Sequence, residues 1–189
     1  MKEISVLTVK LLLICAIVTG LLAGVNSITT PIIEENKQKN FEFSMREILP
    51  EASSFKEIAL DGFTPQQTGT KLDSIYLADN GGYVVSTDCS EGYGGAINVM
   101  VGITPQLKIK QVKIISMSET PGLGAKANTP EFITQYNGLD GTIEVLKNAT
   151  PSGNQIAAIS GATVTSKAVT KAVNTALDAA QKAKGGSNQ

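Results

Sequence analysis

The chain has no histidine and only two cysteines, Cys15 and Cys89, in 189 residues. Those scarcities remove whole classes of chemistry: zinc sites built on HExxH, triads that need an imidazole base, haem held by histidine, and a four-cysteine cluster supplied by this chain alone. Any redox chemistry has to be borrowed from an organic cofactor. An excess of charge of one sign is missing as well. With 16 basic and 17 acidic residues the net charge is -1, and no basic run alternates with aromatics, so the electrostatic footprint of a nucleic-acid binder is absent. Cys15 lies in an apolar run, so a disulfide with Cys89 is not expected, and Cys89 reads as a small buried hydrophobe. What is present, 42% hydrophobic and 17% charged residues, is enough for one folded domain and an appendage.

The appendage is N-terminal. Residues 6–25, VLTVKLLLICAIVTGLLAGV, are apolar apart from Lys10, and about 20 residues at ~1.5 Å each cover the ~30 Å core of a bilayer. A cleaved signal peptide shares a basic start and an apolar stretch; we read the segment as a retained, single-pass anchor. Lys2 and Lys10 fall at its N-terminal end, whereas the first charges beyond it are Glu34 and Glu35. That asymmetry keeps the N-terminus cytoplasmic and places the rest on the extracytoplasmic side. The span has no carboxylate, so the chain is not expected to conduct an ion itself. Thr30 as an N-cap, Pro31 in a first turn and acids at Glu34 and Glu35 predict a separate connecting helix after the anchor.

From Ile58 to Ser118 the pattern changes to short strands between turns. IYLADNGGYVVSTDC reads as two strands around Asn80-Gly81-Gly82, AINVMVGIT as an apolar strand and LKIKQVKIISMS as an alternating one, together an antiparallel sheet. SEGYGGA between them is read either as a hairpin turn or as a ligand loop. A short helix is expected near Thr129-Pro130, GTIEVLK is a possible strand, and a helix from Thr165 or Ser166 to about Lys182 puts Val169, Val173, Ala176, Leu177 and Ala180 on one face. The fold expected is α+β, an antiparallel sheet covered by helices. Its boundaries are an anchor at 1–28, a helical connector at 29–57, a domain at 58–185 and a flexible tail at 186–189.

Two stretches have the residues for a cofactor. SGATVTS, residues 160–166, runs into a helix N-terminus, where unpaired N–H groups and the helix dipole favour phosphate. Ser160, Thr163, Thr165 and Ser166 either cap that helix or include a hydroxyl that binds or esterifies a phosphate. ETPGLGAK, residues 119–126, offers Glu119, Thr120 and two glycines that let a loop lie against a planar ligand; an ordinary Pro-Gly turn has the same composition.

SETPGLGA and SGATVTS, together behind an anchor continued by TPIIEENK, resemble the G subunit of the Rnf ferredoxin:NAD oxidoreductase complex. The FMN-binding domain concerned is shared with the C subunit of the sodium-translocating NADH:quinone oxidoreductase. The resemblance implies a membrane-anchored electron-transfer subunit rather than a stand-alone catalyst. It implies FMN joined to Thr163 by a phosphoester that a separate flavin transferase makes outside the cytoplasm. Ser160, Gly161 and Ala162 would form the turn presenting Thr163, and Thr165 would help hold the phosphate. Glu119, Thr120, Gly122, Leu123 and Gly124 would line the flavin site, with no metal. The partners implied are the membrane iron–sulfur subunits, which supply electrons, and the D flavin subunit, which accepts them. One departure stands out: where the family usually has an acidic residue three positions before the serine, this chain has Ala157.

Overall fold

Alternating apolar residues in the middle of the chain produce the expected sheet. In the computed structural model, which describes residues 2–60 and 62–186, five strands follow one another as an antiparallel meander. They are β1 (Phe55–Glu57), β2 (Thr70–Ala78), β3 (Tyr83–Cys89), β4 (Ile97–Ile103) and β5 (Ile109–Ser116). The β2–β3 hairpin turns at the anticipated site: Gly81 has φ 82° and the Asn80 side chain accepts the Gly82 N–H at 2.9 Å. After β5 come a 3-10 turn at Gly124–Asn128, the short helix α2 (Pro130–Ile133) and a second 3-10 turn at Thr134–Tyr136. Strands β6 (Glu144–Leu146) and β7 (Gln155–Ala157) then form a parallel pair. The last element is the 24-residue helix α3, Thr163–Gly186. Residues 187–189, the end of the expected tail, lie outside the described residues.

The chain divides into two units, Met1–Phe43 and Ser44–Gln189. The first is the leading part of helix α1 (Lys2–Ile48). Its segment Leu7–Pro31, with mean hydropathy 2.3, is long and apolar enough to cross a membrane. The hydroxyls of Ser27, Thr29 and Thr30 each bond back to a carbonyl one turn earlier, on Gly24, Val25 and Asn26, which satisfies them within the helix. Thr30 is therefore not an N-cap, and no new helix begins there. Pro31 lies inside α1, because losing one hydrogen bond in a propagating helix costs less than starting another.

In the second unit, α3 lies on one sheet face. Val85, Val99 and Val101 meet a stripe that includes Val169, Ala172, Val173 and Ala176, all fully buried. The small alanines let helix and strands approach closely enough for the Thr87 hydroxyl to donate to the Ala172 carbonyl at 3.0 Å. The opposite face receives the last turn of α1, where Ile48 packs against Gly102 and the ion pair Lys113–Glu47 (2.5 Å) ties strand to helix. The helical connector expected over 29–57 thus stops at Ile48, and Phe55–Glu57 instead pairs with β2 as an edge strand.

Candidate functional site

The SGAT stretch becomes a tight turn for a local reason. The Ala162 N–H bonds to the Ile159 carbonyl at 2.9 Å, and Gly161, third in that turn, has φ 77°, a conformation that costs other residues a steric clash with Cβ. Ser166, fully buried one helical turn on, fastens both ends: its hydroxyl accepts the Ile159 N–H at 3.0 Å and donates to the Ala162 carbonyl at 2.9 Å. The first intrahelical bond runs from the Ser166 N–H to the same carbonyl. Helix α3 therefore begins at Thr163, two or three residues before the expected start at Thr165 or Ser166, and among the described residues the N–H groups of Thr163, Val164 and Thr165 have no backbone partner.

None of the four hydroxyls in this stretch caps the helix. Ser160 is exposed, Ser166 staples the turn, and Thr165, only 1% exposed, donates to Glu119 Oε2 at 3.0 Å. Thr165, expected to help hold a phosphate, lines the cleft described below, and its hydroxyl has Glu119 as its protein partner. Thr163 is half-buried, and among the described residues its hydroxyl has no hydrogen-bond partner.

The second motif meets the first at Glu119. This carboxylate is 8% exposed and accepts the Gly94 N–H at 3.2 Å besides the Thr165 hydroxyl. Gly124 is glycine by necessity, since a Cβ there would strike Glu119 Oε2 and lie 2.9 Å from the Thr165 hydroxyl. The bond to Gly94 reaches the β3–β4 connection, so SEGYGGA is a hairpin turn that also forms part of the site. Lys171 on α3 holds the near side of that turn through Glu91 (2.6 Å) and Thr68 (2.9 Å). Its ammonium, and next the Thr68 hydroxyl, keep the Glu91 carboxyl below the usual carboxylate range.

These elements enclose a cleft of ≈ 540 Å³, within the range of small-molecule sites. All the residues proposed from the two motifs line it except Ser160 and Gly122. Ser160 lines an adjoining cleft of ≈ 610 Å³, and both clefts share Lys147, Gly161 and Thr163. Gly122 (φ 78°) shapes the loop without facing either cleft. Three lining residues escaped the sequence reading: Tyr93, Lys147 and Val164. An aromatic within Gly92-Tyr93-Gly94-Gly95 was a signal for the first; the other two had none. Tyr93, Leu123 and Val164 are 76%, 47% and 51% exposed, an apolar wall open to a planar ring. Free N–H groups and Thr163 stand beside it for a phosphate. The residues present fit FMN.

Comparison with known proteins agrees. The G subunit of the proton-translocating ferredoxin:NAD(+) oxidoreductase complex of Clostridium ljungdahlii is 34% identical over 179 residues, 94% of this chain and 91% of the relative. The G subunit of the Na(+)-translocating complex of Acetobacterium woodii is 34% identical over 193 residues, 95% and 93% of the two chains. The chain belongs to this family of Rnf G subunits. Within the family's architecture, an FMN-binding domain matches residues 92–178 and an RnfG N-terminal region matches residues 1–48. The fold recurs in two solved structures, both at 22% identity and TM-score 0.51. The C subunit of the Na(+)-translocating NADH-quinone reductase of Parabacteroides distasonis aligns over 59% of this chain and 62% of its own. NqrC of Shewanella oneidensis aligns over 71% of each.

Proposed function

We propose that the protein is a membrane-anchored electron-transfer subunit of an ion-translocating ferredoxin:NAD oxidoreductase complex, with FMN joined through its phosphate to Thr163. The observation that carries this reading is the meeting of both motifs in one cleft at the start of α3, where the Thr163 hydroxyl has no partner among the described residues. When bound, FMN supplies one- and two-electron chemistry. The chain's residues hold it: Leu123, Val164 and Tyr93 offer the ring an apolar wall, and the α3 N-terminus favours the phosphate. A separate flavin transferase would make the ester by passing the FMN phosphoryl group from a flavin phosphoanhydride to Thr163 Oγ: the Oγ–P bond forms as the anhydride P–O bond breaks, the other phosphate half leaves, and the hydroxyl proton is released. In this reading the charge asymmetry about the anchor favours an extracytoplasmic domain, and covalent attachment would prevent loss of the cofactor there. The partners in this reading are the membrane iron–sulfur subunits and the D flavin subunit.

The test is the intact mass of full-length protein matured with the flavin transferase. The mass is expected to rise by one FMN phosphoester, and the increment to vanish in Thr163→Ala. Unmodified wild-type protein under those conditions refutes the covalent assignment.

A further inference from the structure

The two clefts share three lining residues, and of these only Lys147 has a charge. It directly follows β6, just before Asn148, which turns the chain with φ 57°. Four lysines of the domain have carboxylate partners, Lys108 with Asp140, Lys110 with Glu51, Lys113 with Glu47 and Lys171 with Glu91, and Lys147 is the lysine that lines either cleft. Among the described residues, Lys147 enters neither an ion pair nor a hydrogen bond. Glu119, the carboxylate that lines the first cleft, is bonded to Gly94 and Thr165. An exposed, unpaired ammonium thus stands at the junction of the clefts, on the same lining as Thr163.

The geometry points to Lys147 as the counter-charge of the FMN phosphate, a side-chain contact that, with the α3 N-terminus, distinguishes FMN from riboflavin. The inference rests on the reading that the cleft takes FMN, though not on the covalent bond. An ammonium beside a phosphate is a charge-assisted donor, and it adds to the positive end of α3. The Glu119 carboxylate repels a phosphate. The two charges therefore favour one orientation of the ligand, phosphate at the junction and ring toward Leu123 and Val164.

The experiment uses full-length protein made without flavin transferase, solubilised in detergent and titrated with FMN and with riboflavin by flavin fluorescence. Wild type and Lys147→Arg are expected to prefer FMN. Lys147→Gln is expected to bind FMN about fivefold more weakly, the scale of a partly exposed charge pair, with riboflavin unchanged. The gap should narrow as salt is raised. Equal weakening toward both ligands, no change toward either, Lys147→Arg behaving as Lys147→Gln, or wild type binding neither flavin each overturns the assignment. A chain that shows the phosphate preference but gains no FMN mass with the transferase keeps Lys147 in this role and loses the ester at Thr163.

Discussion

Thr165→Val removes one hydroxyl and leaves side-chain shape almost unchanged, and it tests the bond that joins the two motifs. Thr165 and Glu119 are both buried, and their O–H···O contact is 3.0 Å. A hydrogen bond to a charged acceptor contributes about 1.5–3 kcal/mol, and an acceptor left without its donor loses that in full. Glu119 Oε1 keeps the Gly94 N–H, whereas among the described residues Oε2 has no other donor. Because Glu119 lines an open cleft, the lower half of the range applies, about 2 kcal/mol. For a domain of this size that lowers the Tm by roughly 4–8 °C. Glu119→Gln should cost less: its amide oxygen can accept the Gly94 N–H while its N–H donates to a rotated Thr165 hydroxyl. Melting the two single variants and the double variant, followed by near-ultraviolet circular dichroism, gives a coupling energy of at least about 1 kcal/mol if the residues act together. A Thr165→Val protein melting within about 1 °C of wild type, or a coupling energy of zero, refutes the argument.

Further expectations follow from neighbouring geometry. Gly124→Ala drives a methyl into the Glu119–Thr165 pair and should destabilise the domain by about 1–3 kcal/mol, with lower flavin content in protein matured with the transferase. Ser166→Ala leaves the Ile159 N–H without its acceptor, so about 1–2 kcal/mol of stability should be lost, read by urea denaturation; on the covalent reading proposed above, attachment of FMN at Thr163 should slow as well, read by mass spectrometry. Burial pushes the Tyr136 phenol above its ordinary value, with the Thr170 hydroxyl opposing. Stability is therefore full below the unfolded value of 10.0 and falls as pH rises beyond it; Tyr136→Phe should flatten that decline in urea midpoints. Glu91 is shifted the other way, so its share of stability is present above the unfolded value of 4.5 and fades as pH drops through the lower folded one. Glu91→Gln should remove that part of the acid transition.

Much of this architecture was legible from period and punctuation. Short apolar or alternating runs between turns marked β2 to β5, Asn80-Gly81-Gly82 marked a turn, and Val169, Val173, Ala176, Leu177 and Ala180 all proved buried. What stayed hidden depends on distant partners. Ala157 gave no strand signal; its N–H reaches the Gln135 side chain at 2.8 Å, and β7 pairs with β6 in parallel. The bond from Thr165 to Glu119 could not be read locally, because Glu119 lies 46 positions earlier. Lys147 closes the possible strand GTIEVLK and directly follows β6, and the partner strand β7 that brings it to the cleft carried no strand signal. Thr30 and Pro31 followed helix-start rules, and those rules say nothing about a helix already running through them.

Helix α3 is at once the lid on the sheet and the support of Thr163. Val173, fully buried against the strands, lies ten positions from Thr163, roughly 15 Å along a rod that has no internal joint. A void opened at Val173 would have little means of relaxing except by shifting that rod, and the shift would be delivered to Thr163. The absorption spectrum of an attached flavin would then act as a built-in gauge of packing, reporting from the surface on damage deep in the core.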